Sequence, residues 1–575
     1  MLAAALLLLS LAVPASAQTL TYIEGYVKEA GGSENPAPIV DVCVTLGPPT
    51  GCTAATNADG YYRIDGVPAG ASQWELIFSR QGFQTGRTGI FTVPGPGPKR
   101  VDAFLPRGSG NCSRPDAPRT TVYLPNVTKT LGGPSGFVTP FIVQNTSNAI
   151  ITSLQIDFYR FSDGALVSRR ELCVLRPGTS FADVPNNDAD LPHDSQFSVV
   201  VRSFMTDAVA VVNEHQGSGQ QAESASYVGA SSGATSVFLP NITRRFFGFF
   251  TPFIIQNLGA VTTTATASFV SFDGSKTASV TRSIGPGRSR FIDPNSEPGL
   301  VDGTQYAVAV TASQPLSIVV NTHCGAASCG TPLFYATNGL TAGAATVYGP
   351  YAVKNVEGVG MGVSPIVVQN LGAAAATPSL SFRPLGGGAA TAFTGPSVAP
   401  GAAWAFDPRF VNGAAAEGVC GATASAGCLA NGEYSFRASA PSGSIAAVVN
   451  VISGFTASGY AALSQPATKV FLPNVTRTLG GTNGWTTPIV VQSAGATSAT
   501  LSWYRFSDGG LVTTTNVALS TEGAVSVDPR NVPGLTGDTQ YSVVAQGSGG
   551  DIVAIVRELN FSGGDGAMTY EGFHR

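Results

Sequence analysis

One phrase constrains this chain more than any other. Thr121 to Val167 reads TVYLPNVTKTLGGPSGFVTPFIVQNTSNAIITSLQIDFYRFSDGALV, and it returns from Lys469 to Val512 as KVFLPNVTRTLGGTNGWTTPIVVQSAGATSATLSWYRFSDGGLV. Two weaker copies lie between, so one unit is repeated four times, over residues 120–232, 233–343, 344–465 and 466–575. The landmarks keep their order. Thr-Pro or Ser-Pro at Pro140, Pro252, Pro365 and Pro488 opens PFIVQN, PFIIQN, PIVVQN and PIVVQS. Hairpin signals follow at Asp163-Gly164, Asp273-Gly274, Gly386-Gly387 and Asp508-Gly509, and each unit closes near Tyr227, Tyr335, Tyr460 and Tyr570. Short runs rich in Val, Thr, Phe and Tyr, with a turn signal every ten or so residues, predict an antiparallel β-sandwich of roughly 110 residues. Leu-Pro-Asn, Thr-Pro and Asp-Gly read as strand starts and hairpin turns. Alternation places Phe141 and Val143 on one face, and Ile142 and Gln144 on a solvated one. A unit of this size can bury its own core, so the expectation is four independent beads.

The expected fold class is all-β, with an N-terminal sandwich followed by four tandem Ig-like sandwiches. Charged residues make up 11% and hydrophobic residues 43% of the chain, too apolar for disorder. The net charge of −4, without any basic block, speaks against nucleic acid. Met1 to Ala17 reads as a secretory signal peptide, an apolar run ending in Ala15-Ser16-Ala17. No later segment is apolar for long enough to span a bilayer as a helix. The mature chain is therefore expected to be secreted, without a membrane span.

Eight cysteines fit an oxidising compartment. Pairing near neighbours gives Cys43 with Cys52, Cys324 with Cys329 and Cys420 with Cys428, leaving Cys112 and Cys173 as the fourth pair. That last bond would tie the linker 107–119 to the first repeat. A zinc site is the rival, but the four histidines are scattered and no CxxC occurs.

Residues 20–106 differ from the repeats. Gly25-Tyr26-Val27, Pro38 to Val44, Thr56-Asn57-Ala58-Asp59-Gly60-Tyr61-Tyr62, Val67-Pro68-Ala69-Gly70 and Gly82-Phe83 follow one another as strands and tight turns. This order resembles the carboxypeptidase regulatory-like domain, a transthyretin-like β-sandwich of the carbohydrate-binding-like fold group. The resemblance implies a non-catalytic accessory domain. The repeats are similar in general character to sandwich repeats of bacterial exported and surface proteins, without a named family.

Signals for chemistry are weak. Gly229-Ala230-Ser231-Ser232-Gly233 matches the nucleophile elbow, yet it joins two repeats with no helix after it. Gly358 to Gly362 is glycine-rich without a βαβ context. Asp183, Asp188, Asp190 and Asp194 form an acidic loop that reads as solvated rather than calcium-binding. Neither HxxE nor HExxH occurs, and no cofactor is expected. Phe137, Phe249 and Trp485 occupy one position just before the Thr-Pro strand and are candidate ligand-facing aromatics, with core packing as the alternative. The sequons at Asn126, Asn241 and Asn474 belong to the repeated phrase and are not read as glycosylation sites.

The resulting expectation is a secreted, non-enzymatic extracellular module with structural, adhesive or matrix-interacting roles. Its partners would be a polysaccharide or a cell-surface or matrix protein. Alternatives are carbohydrate binding, through the N-terminal domain or the loop aromatics, and an accessory role beside an exported enzyme.

Overall fold

The computed structural model describes residues 20–30, 36–47, 51–69, 73–88, 91–93, 98–106, 112, 117–355, 362–506 and 509–574. The expected signal peptide, most of the linker and Gly358 to Met361 lie outside these residues. The chain divides into two compact units, residues 1–116 with 171–174, and the remainder. All eight cysteines are bonded, as Cys43–Cys52, Cys112–Cys173, Cys324–Cys329 and Cys420–Cys428.

In the first unit Leu20–Glu29 pairs antiparallel with Tyr61–Pro68 and parallel with Lys99–Arg100 and Ala103–Leu105. A second sheet sets Cys43–Leu46 between Ala54–Ala55 and Leu76–Ser79. Alternate residues of these strands, Ile23, Val27, Val44, Tyr62, Ile64, Leu76 and Phe78, form the core. Asn57 makes the tight turn, its side-chain oxygen accepting from the N–H groups of Asp59 and Tyr61 at 3.0 and 2.9 Å. Gly60 closes it at φ +73°, where a Cβ would lie 2.5 Å from the Val27 carbonyl oxygen.

The first repeat contains two four-stranded antiparallel sheets. One runs Thr120–Lys129, Ser195–Phe204, Ser153–Arg160, Leu166–Leu172; the other runs Ser180–Asp183, Phe141–Asn145, Ala208–Gln216, Glu223–Val228. The later repeats keep this strand order.

Leu-Pro-Asn does not start a strand. It sits in the middle of Thr120–Lys129, where the ladder skips from Leu124 to Val127. Pro125 has no N–H to donate, so this bulge is where a proline is tolerated inside a sheet. The same skip occurs between Leu239 and Ile242, Gly349 and Ala352, and Leu472 and Val475. A buried tyrosine repairs the break. The Tyr227 hydroxyl accepts from the Asn126 N–H at 3.2 Å and donates to the Asn126 carbonyl at 2.6 Å. Tyr460 serves Tyr351, and Tyr570 serves Asn474, in the same way. The strand registers put Thr337, not Tyr335, at this place in the second repeat.

The repeats are not beads. The closing strands Glu223–Val228, Leu333–Asn338, Ala457–Ala461 and Ala567–Glu571 each lie against the next, and the last lies against the first. The bulged strand of each repeat also packs on the following repeat, with Lys469–Arg477 returning to Phe141–Asn145 and Ala208–Gln216. Four repeats thus close into a ring. The cores run across the seams: Ile142 and Val211 of the first repeat join the cluster of the fourth, and Val490, Val553 and Ile555 of the fourth join that of the third. Ile142 and Gln144, expected on a solvated face, are 3% and 0% exposed. Leaving Ile142 or Val211 in water would cost about 1.5–3 kcal/mol each, which favours closure over separate domains. The physical signal is PFIVQN itself, apolar on both faces as in a strand covered on both sides.

Candidate functional site

Each seam is built from the same five positions. The bulge turns the side chain of Asn126 toward the second repeat. Its amide donates to Glu214, its oxygen accepts from Gln196 at 2.7 Å, and Asn321 of the second repeat donates to the other oxygen of Glu214 at 3.1 Å. The fourth-to-first seam repeats this set. Asn474 and Asn213 donate to the two oxygens of Glu558 at 2.7 and 2.8 Å, and Gln540 donates to Asn474 at 2.7 Å. In the second-to-third seam Thr322 replaces the glutamate between Asn241 and Asn450, and about 10 Å³ of space remains there.

Burial dominates the electrostatics. The Glu214 and Glu558 carboxyls are pushed up to about 8 although amides hold them. The same cause lowers His215 and His323 to about 4. Asp565 joins all four repeats. Its carboxylate accepts from the N–H groups of Phe334 and Ala457 at 2.7 and 2.8 Å, its N–H donates to Ala222 at 2.7 Å, and its carbonyl accepts from Ser224 at 2.8 Å. Burial raises it to about 8.

The three candidate aromatics sit in these seams rather than at free loop tips. Phe137 meets Phe334 and His323 edge-on, with ring centroids 5.4 and 6.1 Å apart. Phe249 packs with Leu333, Tyr335 and Ile452. Both rings pack against the neighbouring repeat while part of each remains exposed. Trp485 packs edge-on against His215 at 5.3 Å, yet it lines a cavity of about 240 Å³ with Asn213, Asn474, Gln540 and Glu558.

The third-to-fourth seam departs at every position. Tyr351 stands for the bulge asparagine, Glu433 for the glutamine, Val451 for the glutamate and Arg557 for the opposing asparagine. Gly362, three residues before Pro365, takes the place of the aromatic. A cavity of about 560 Å³ opens there, lined by these five residues and by Asn355, Asn431, Ser453, Thr456 and Ser458. The Arg557 guanidinium lies over the Tyr351 ring, 3.7 Å from its centroid. Tyr351 donates to Glu433 at 2.7 Å, and Arg557 stops 3.9 Å short of that carboxylate. Sequence reasoning missed this site; the signal was the third repeat's departure from shared columns.

The other sequence signals have structural uses. Gly229 to Gly233 connects two strands and is followed by Ala234–Arg244, a strand. The acidic loop is not solvated at its start, since Arg170 pairs with Asp183 at 2.6 Å and with Asp188 at 2.6 Å. Lys129 pins the loop from below, donating to the carbonyls of Asp188 and Leu191 at 2.6 and 2.8 Å. Asn126 and Asn474, two of the sequon asparagines of the repeated phrase, are 6% and 5% exposed.

In the first unit, the motifs that carried the resemblance include Gly25-Tyr26-Val27 and Thr56 to Tyr62, which the structure places in the paired strands Leu20–Glu29 and Tyr61–Pro68 and the turn before the second. Residues 22–106 match the model of the carboxypeptidase regulatory-like domain. No curated protein matches the chain. Among solved structures, the crystal structure of Thermotoga maritima 1070 is 18% identical, with 19% of this chain and 93% of that chain covered and a TM-score of 0.16. The major pilin subunit BcpA of Bacillus cereus is 7% identical, with 88% and 97% covered and a TM-score of 0.12. A tetra-tandem repeat from the extending region of a large adhesion protein is 11% identical, with 75% and 93% covered and a TM-score of 0.10. TM-scores this low leave fold and function to be argued from the chain's own geometry. Among the described residues no helix is long and apolar enough to cross a membrane.

Proposed function

We propose that this chain is a secreted, non-catalytic scaffold in which a carboxypeptidase regulatory-like domain precedes a rigid four-repeat β ring. It acts outside the cell as a structural, adhesive or matrix-interacting module. The observation that carries this reading is the use of the seam polar groups. Glu214, Glu558 and Asp565 are held by amides or backbone N–H groups from neighbouring repeats, so they fasten the ring. The four disulfides fit an extracellular setting. A ring presents similar outer surfaces at fixed spacing, so weak contacts on several repeats would add through effective concentration.

Carbohydrate binding is the second reading, favoured by the half-buried Trp485 and its polar-lined cavity. One experiment addresses both. The purified secreted chain is incubated with insoluble plant, fungal and bacterial polysaccharides and with extracellular matrix proteins. Retention on a matrix supports the module, and loss of polysaccharide retention in Trp485→Ala supports the sugar reading. Turnover of any of these polymers by the purified chain sinks the non-catalytic reading.

A further inference from the structure

From the third-to-fourth seam we infer a binding site for a small hydroxylated carboxylate of the uronic acid class. Three of the four seams carry an aromatic just before the Thr-Pro strand. The third repeat has Gly362 there, and a cavity of about 560 Å³ lies beside it. That volume is in the range of small-ligand pockets. The polar exchanges are concerted. Tyr351, Val451 and Arg557 stand where two of the other seams carry an Asn–Glu–Asn bridge, and Glu433 takes the place of the glutamine, so a cation and a carboxylate now face one space.

Arg557 is the anchor. Its side chain is only 18% exposed, it is stacked on Tyr351, and its nearest carboxylate is 3.9 Å away. Among the described residues the guanidinium makes no hydrogen bond, whereas Asn213 and Asn321, at its place in two other seams, bond a glutamate. A planar fork fixed on an aromatic face is suited to bidentate capture of a carboxylate. The walls then select hydroxyl groups. Glu433, oriented by the Tyr351 hydroxyl, is an acceptor, and Ser453, Thr456 and Ser458 line the same space. A ligand with one carboxylate and several hydroxyls satisfies both features. A neutral sugar brings no anion to Arg557, and phosphate brings no row of hydroxyl groups to Glu433 and the seam hydroxyls.

The site is independent of the scaffold reading. Its test is calorimetric titration of the full chain with galacturonate, galactose and inorganic phosphate, beside Arg557→Gln and Gly362→Phe. Galacturonate is expected to bind at least about tenfold more tightly than the other two, a difference near 1.4 kcal/mol. Either substitution should weaken it by a similar factor, the second by restoring an aromatic. A short polygalacturonate binding as well as the monomer assigns the source to a polymer; binding of the monomer alone assigns it to free uronate. The inference is overturned if galactose or phosphate matches galacturonate, if folded Arg557→Gln binds like the parent, or if the folded parent binds none. Should Gly362→Phe not fold, Arg557→Gln decides alone.

Discussion

Buried carboxyls and imidazoles set the pH response, residue by residue. Glu214, Glu558 and Asp565 are raised to about 8, and Glu571 to about 7, by burial. A raised carboxyl means the folded ring holds protons that the unfolded chain gives up near pH 4–4.5. Their contribution is complete below that range and is lost as pH rises through 7 and 8. His215, His323 and His574 are lowered to about 4, so they act in the opposite sense and destabilise the fold as pH falls below about 6.5. The two groups oppose each other between about pH 4.5 and 6.5, and above that only the carboxyls titrate. Thermal unfolding should therefore shift to lower temperature from pH 6.5 to 8.5, and Glu214→Gln with Glu558→Gln should flatten that slope. A Tm in the double variant that keeps the parent's slope would assign the dependence elsewhere.

At the level of elements, the bulge is the most exacting feature. Tyr570 supplies both hydrogen bonds that the Pro473–Asn474 interruption removes from the ladder. Tyr570→Phe leaves a buried N–H and C=O unpaired and should cost about 2–3 kcal/mol, read as a lower urea midpoint with unchanged slope. A cost below about 0.5 kcal/mol would mean water serves those groups instead. The sequence showed the strands, the hairpins and the disulfide partners, because those follow from short-range turn chemistry and alternation. It did not show the bulge, since Leu-Pro-Asn reads locally as a strand start. Nor did it place Phe137 and Trp485, whose faces depend on residues about a hundred or more positions away. Gly362 was visible only as one more glycine in a loop. Its meaning comes from the ring, where it stands opposite Arg557 at the place of an aromatic.

For the whole molecule, the central claim is closure. The repeats were legible one at a time, and a unit of roughly 110 residues has enough core to stand alone. What decides against separate domains is apolar surface on the second face, at Ile142, Val211, Val490 and Ile555, which other repeats cover. Asp565 adds a fixed point that reaches the other three repeats. The direct test is a double-mutant cycle on Asn213 and Glu558, 345 positions apart in sequence and hydrogen-bonded across the last seam. Asn213→Ala, Glu558→Ala and the pair are compared by equilibrium urea unfolding. Closure predicts a coupling of about 1–2 kcal/mol between them; additivity within about 0.3 kcal/mol would contradict a closed ring.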